Sequence, residues 1–125
     1  MSTNTRILLH DFVFYLVLWL TLHQKRGKIE IILYNYDGFY DKVLDLDENN
    51  FDANLALGLI YLNEFLSDKN NLEAQYNAQT YLLTANSVKP YAVNALKGLA
   101  LYYETTNEED QLDRVNVLLN QLSNN

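Results

Sequence analysis

A chain of 125 residues has room for one small domain, and an apolar share of 49% is enough to give it a core. Its net charge of −7 excludes a general attraction to nucleic acid or to an anionic membrane surface, since both would repel it. The absence of cysteine excludes a disulfide framework, a thiolate nucleophile and a Cys-type zinc site, and it fits a cytosolic chain.

The first element in the chain is an apolar run from Phe12 to Leu20, extended by Thr21 and Leu22. As a helix this run spans ~16 Å at 1.5 Å per residue, against ~30 Å for a bilayer core. Extension backwards meets Asp11 and His10, which are costly in lipid. A signal peptide fits the preceding Arg6 but not the basic His23–Lys28 that follows, where small residues belong. A buried helix over 7–23 is favoured, with a membrane anchor and a signal segment as the alternatives. Lys25, Arg26 and Lys28 read as a solvated turn around Gly27.

Ile29 to Leu33 suits a strand as well as a helix. Asn35 to Gly38 is a turn signal. Helical spacing resumes from Phe39 to Asp47, and the polar Asp47–Asn50 ends it. Phe51 to Leu66 is the clearest helix, apolar nearly all round, so neighbours must cover both of its faces. After a turn at Ser67–Asn71, Leu72 to Asn86 forms a helix with Ala74, Ala78, Tyr81, Leu82 and Ala85 as its inner stripe, and Pro90 stops it. Tyr91 to Glu104 is a helix rich in small residues. Thr105–Asn107 is the next turn, where Thr106 or Asn107 is placed to cap the helix that follows. Glu108, Glu109 and Asp110 then sit where a helix dipole favours negative charge, and Val115, Leu118, Leu119 and Leu122 give an amphipathic final helix.

Two of these helices repeat one pattern. Phe51, Asn54 and Gly58 align with Tyr91, Asn94 and Gly98 at a spacing of about 40 residues, the scale of stacked helical hairpins. A mid-helix glycine costs ~1 kcal/mol against alanine, which is tolerated where another helix must come close. Leu57-Gly58 with Tyr61, and Ala78, Leu82, Ala85 and Pro90 after them, resemble the tetratricopeptide repeat (TPR) family. Asn54 and Asn94 depart from the aromatic usual there, Glu48 stands where proline is usual, and the Ser67–Glu73 turn is longer than the family's. The resemblance implies an all-α fold: TPR-type hairpins stacked as a short right-handed solenoid of about three hairpins. The whole chain, 1–125, is then one domain, with 36–104 its clearest repeats and 1–35 atypical.

Within that family, the order of Leu44–Asn50, then Asn71-Leu72-Glu73 after a long turn, then Ala95–Leu99 is similar to subunit 2 of the endoplasmic reticulum membrane protein complex. This likeness implies a cytosol-facing, peripherally attached subunit of a membrane-protein insertase. Its partners would be other protein subunits, some of them membrane-embedded. The alternative is a TPR adaptor of another soluble assembly or a co-chaperone. A co-chaperone's carboxylate clamp needs Lys and Asn where this chain has Leu55, Leu59, Ala95 and Leu99.

The residues that carry chemistry in enzymes are sparse. His10 and His23 have no acidic partner at ligand spacing, and there is no Gly-rich phosphate loop, GxSxG or HExxH. Acidic pairs such as Asp45/Asp47 and Glu108/Glu109 fall at helix ends and read as caps or solvated faces. The expectation is a non-catalytic chain with no cofactor, no metal and no small-molecule substrate. On a concave TPR face, the partner-binding candidates are Asn54, Leu55, Tyr61, Lys97, Tyr102 and Tyr103. Tyr61 and Tyr102 have a competing role as packing knobs between hairpins.

Overall fold

A computed structural model describes residues 38–124, and these form an all-α structure. Five helices succeed one another: α1 (38–46), α2 (Phe51–Ser67), α3 (Leu72–Val88), α4 (Val93–Thr106) and α5 (Glu109–Ser123). The expected helix over 7–23, the basic turn, the ambiguous 29–33 and most of the 35–38 turn lie outside the described residues. Gly38, expected in a turn, is helical.

α2 and α3 pack on each other most extensively, and α4 and α5 form a second pair joined by a short turn. α3 also packs on α4, and α2 reaches α4 directly. The core follows this order. Leu55, Leu57, Leu59 and Leu62 of α2, Leu82 of α3, and Leu96 and Leu99 of α4 are its largest fully buried side chains. Each leucine so removed from water contributes roughly 1.5–3 kcal/mol. α1 adds buried Tyr40, with Phe39, Val43 and Leu44 packed against the same core. α2 is buried on nearly every face, as its apolar sequence demands, whereas α5 buries Val115 and half-buries Leu118, Leu119 and Leu122.

The turns into α2 and α3 are built alike. In the first, the Asp47 carboxylate accepts from the Asn49 amide (3.1 Å), and the Asn50 side chain accepts from the Ala53 amide (2.9 Å). In the second, Asp68 accepts from the Asn70 amide (3.0 Å), and Asn71 from the Ala74 amide (3.0 Å). Each is an Asp-x-Asn-Asn unit: an Asx turn followed by an N-cap that satisfies one of the orphan amides of the first helical turn.

The second pair closes differently. α4 begins at Val93 and not at Tyr91, because Pro90 and Tyr91 form the centre of a turn in which the Ala92 amide donates to the Lys89 carbonyl at 3.1 Å; Ala92, the N-cap, has no side-chain oxygen to offer. It runs on through Thr105 and Thr106, whose hydroxyls donate back to the Leu101 and Tyr102 carbonyls. Neither Thr106 nor Asn107 caps α5. Asn107 ends α4 in the left-handed conformation (φ 60°), which lets the Glu108 amide reach the Tyr103 carbonyl at 3.0 Å. Asparagine tolerates this conformation because its short polar side chain bonds locally.

Both glycines of the repeated pattern face one residue. A Cβ at Gly58 would stand 2.8 and 2.9 Å from the Leu82 side chain and 3.1 Å from its backbone nitrogen. A Cβ at Gly98 would stand 3.0 Å from the Leu82 side chain and 3.3 Å from Leu59. Leu82 of α3 is thus clasped between α2 and α4, and the missing side chains are what let three helices meet there.

Candidate partner-binding site

The six candidate residues separate on burial. Asn54 is only 2% exposed, and its side-chain amide donates to the Glu48 carbonyl at 3.0 Å and to the Asn50 carbonyl at 2.8 Å. It ties the turn before α2 to the first turn of that helix. Leu55 is fully buried. Tyr102 and Tyr103 are buried with their rings edge to face, 5.6 Å apart, and Tyr102 lies 6.1 Å from Phe65 of α2. As placed, these four hold the core and have little surface for a partner. For Tyr102 the reason is that its side of α4 meets Phe65 of α2; for Asn54 it is the bonds to the preceding turn.

Tyr61 is half-buried and stacks on Tyr81 of α3, with centroids 5.8 Å apart and planes at 10°. Its ring packs within the α2–α3 hairpin and not between hairpins; of the two tyrosines with that expected role, Tyr102 is the one placed against the other hairpin, at Phe65. Lys97 is exposed. The positions where a carboxylate clamp would need polar groups, Leu55, Leu59, Ala95 and Leu99, are all buried in the core.

Lys97 rims a groove of about 410 Å³ between α4 and α5, lined also by Val93, Leu119, Asn120, Leu122 and Ser123. Val93 and Lys97 lie one turn apart on α4, and Leu119 and Leu122 one turn apart on α5, so the pairs face each other across the helix seam. The groove offers an apolar floor and one cation. Its apolar members are legible in the sequence only as core residues of an amphipathic stripe; nothing in the spacing shows that the stripe of α5 is wider than α4 can cover. A second hollow, of about 480 Å³, surrounds the turn between these helices and is lined by Asn107, Glu108, Glu109, Asp110 and Gln111. Its acidic groups begin α5, where the helix dipole stabilises them.

Burial pushes the Tyr102 and Tyr103 hydroxyls above the ordinary phenol range. At Tyr102 a hydrogen bond from Gln75 works against this and the Glu108 carboxylate works with it; at Tyr103, Glu108 and then Tyr102 add to it. Both phenols are therefore neutral packing groups at physiological pH. Among the described residues there is no group of three or more potential metal ligands, and His10 and His23 lie outside them. No helix among the described residues is long and apolar enough to cross a membrane.

No protein-family model, no curated protein and no solved structure matches this chain.

Proposed function

We propose that this chain is a non-catalytic TPR-type scaffold whose helical hairpins stack as a short right-handed solenoid and hold other proteins. The observation that carries the reading is the clasp on Leu82. Two glycines about 40 residues apart, on the first helices of successive hairpins, bring α2 and α4 onto the helix between them. That is how a stacked-hairpin array builds one continuous core from repeating units. α1 would be the second helix of a third, N-terminal hairpin.

In its finer form the proposal makes the chain a cytosol-facing subunit, peripherally attached, of the endoplasmic reticulum membrane protein complex that inserts membrane proteins. The support is the short-motif resemblance. Its three segments fall on the end of α1 and the Asn50 cap, on the Asn71 cap and first turn of α3, and on the buried half of α4. All three have local structural reasons, so the assignment to this complex needs its own test.

That test is affinity purification of the tagged protein from its own cells in mild detergent, read by mass spectrometry. Near-equal recovery of multi-spanning reticulum membrane proteins is expected. Recovery of soluble proteins only overturns the membrane-complex reading and selects the second one, an adaptor of another soluble assembly or a co-chaperone. In either reading the groove at Lys97 is the docking place, with an apolar floor and one cation. Lys97→Glu should lower partner recovery by about tenfold, equivalent to ~1.4 kcal/mol. Unchanged recovery would remove the groove from the site.

A further inference from the structure

α3 exposes more apolar surface than its hairpin requires. Leu72 is 72% exposed, Tyr76 68% and Leu83 40%, and Thr80 and Ser87 are exposed beside them. At 3.6 residues per turn, these five positions form one stripe, on the side away from buried Ala74, Ala78, Leu82 and Ala85. The stripe is also free of charge. Ala74 to Val88 is the longest stretch of the chain without Asp, Glu, Lys or Arg. An exposed aromatic among aliphatic side chains, with charge depleted around it, marks the centre of a protein interface.

We infer that this face is a self-association surface on which a second copy docks antiparallel through Leu72, Tyr76, Thr80 and Leu83. Two features select a second copy as the occupant. The first is electrostatic. Two chains of charge −7 repel each other, and α1 (Asp41, Asp45) and α5 (Glu109, Asp110, Asp113) would bring acidic groups into contact. The α3 stripe lets two such chains meet without opposing like charges. A basic partner would gain nothing from this neutral stripe and would be drawn to the acidic start of α5.

The second feature is symmetry. A two-fold axis between Gln79 and Thr80 places Tyr76 opposite Leu83 of the other copy and Leu72 opposite Ser87. The stripe is thus complementary to itself, as an isologous contact requires. The side chains nearest the axis are uncharged Gln79 and small Thr80, so the helices can approach closely. A seam along one 17-residue helix falls short of the ~1,600 Å² of a standard interface. The dimer is therefore weak, with a Kd of roughly 10–500 μM. Self-association of this kind rests on α3 alone and does not depend on the TPR reading.

Sedimentation of the full chain from a few micromolar to about 500 μM tests it directly. The weight-average mass should climb from that of a monomer toward twice that value. It should climb further in higher salt, which screens the mutual repulsion. Tyr76→Glu and Leu83→Glu should hold the chain monomeric across the range; both sites are exposed, and circular dichroism checks that the helices remain. The chain lacks cysteine, so single substitutions act as clean reporters. Thr80→Cys should give a disulfide-linked dimer on mild oxidation, several-fold faster than Asn116→Cys on α5. A monomer throughout, a dimer indifferent to both glutamates, or equal cross-linking at the two cysteines would each overturn the proposal. So would loss of a different partner on Tyr76→Glu with self-association intact.

Discussion

The α2–α3 and α4–α5 hairpins share a plan and differ in how tightly they are closed. In the first, both helices start with an asparagine cap on an Asp-x-Asn-Asn turn, and α2 is enclosed on nearly all sides. In the second, Ala92 and Glu108 occupy the cap positions without a side-chain cap bond, and α5 leaves part of its apolar stripe to the groove at Lys97. The equivalent asparagines show the same contrast. Asn54 is locked by two carbonyls, while Asn94 stays half-exposed at the start of α4. α2 has used its polar and apolar groups on its neighbours, whereas α5 has apolar groups left to offer. This is the physical basis for seeking a partner at α4–α5.

The Leu82 clasp joins the two regions and should produce the largest effects. Leu82→Ala should cost ~2–5 kcal/mol by urea unfolding. Gly58→Ala should cost ~1–3 kcal/mol, because Leu82 is fully buried and its backbone nitrogen cannot retreat. Gly98→Ala meets only side-chain ends, at 3.0 and 3.3 Å, and gains ~1 kcal/mol in helix propensity, so it should cost less than Gly58→Ala. Gly58→Ala and Leu82→Ala combined should cost less than their sum, since each relieves the other. An additive pair would break the claim that Gly58 and Leu82 share one close contact.

Next in size is the asparagine pair. Asn54→Ala should cost ~1–3 kcal/mol, since it leaves the Glu48 and Asn50 carbonyls without this donor. Asn94→Ala should stay within ~0.5 kcal/mol. Equal costs would mean that the first hairpin is not the tighter one.

The caps sharpen the comparison further. Asn50→Ala and Asn71→Ala should each lose ~1 kcal/mol, and Ala92→Asn should gain ~0.5–1 kcal/mol by giving α4 the cap it lacks. Thermal melts of the three variants would read this, with a drop in the Ala92→Asn melting temperature as the contrary result.

The smallest effect is in pH. The Tyr102 and Tyr103 phenols titrate higher in the fold than the unfolded value near 10. Their contribution is therefore intact below about pH 10 and is lost as pH rises from the unfolded value through the raised folded one. Tyr102→Phe should weaken this alkaline loss of stability, followed by far-ultraviolet circular dichroism across the titration.

Much of the helical plan is readable residue by residue. The inner stripe of α3 is legible because four buried positions, Ala74, Ala78, Leu82 and Ala85, recur at helical spacing. The start of α4 is harder to place: aromatic and apolar residues continue the pattern back to Tyr91, across a turn. The Ala92 amide, bonded to the Lys89 carbonyl, closes a turn over Pro90 and Tyr91, so the helix begins later. The Asp-x-Asn-Asn turns stand out in the sequence as polar breaks, yet their equivalence as caps emerges only from the paired hydrogen bonds. The candidate site is less legible. Buried Asn54, Leu55, Tyr102 and Tyr103 carry the residue types of a binding face, and residue type does not say which helix stands in front.

The sequence by itself determined the helical class of the described residues, the polar turns before α2 and α3 and the glycine period, because backbone hydrogen bonding, capping and the 3.6-residue repeat act locally along the chain. Only the tertiary structure decided that both glycines face Leu82, that Lys97 alone among the six candidates stands exposed at a groove, and that an uncharged stripe of α3 remains open. Those outcomes depend on which helices pack together, and packing is set by the summed fit of surfaces far apart in sequence.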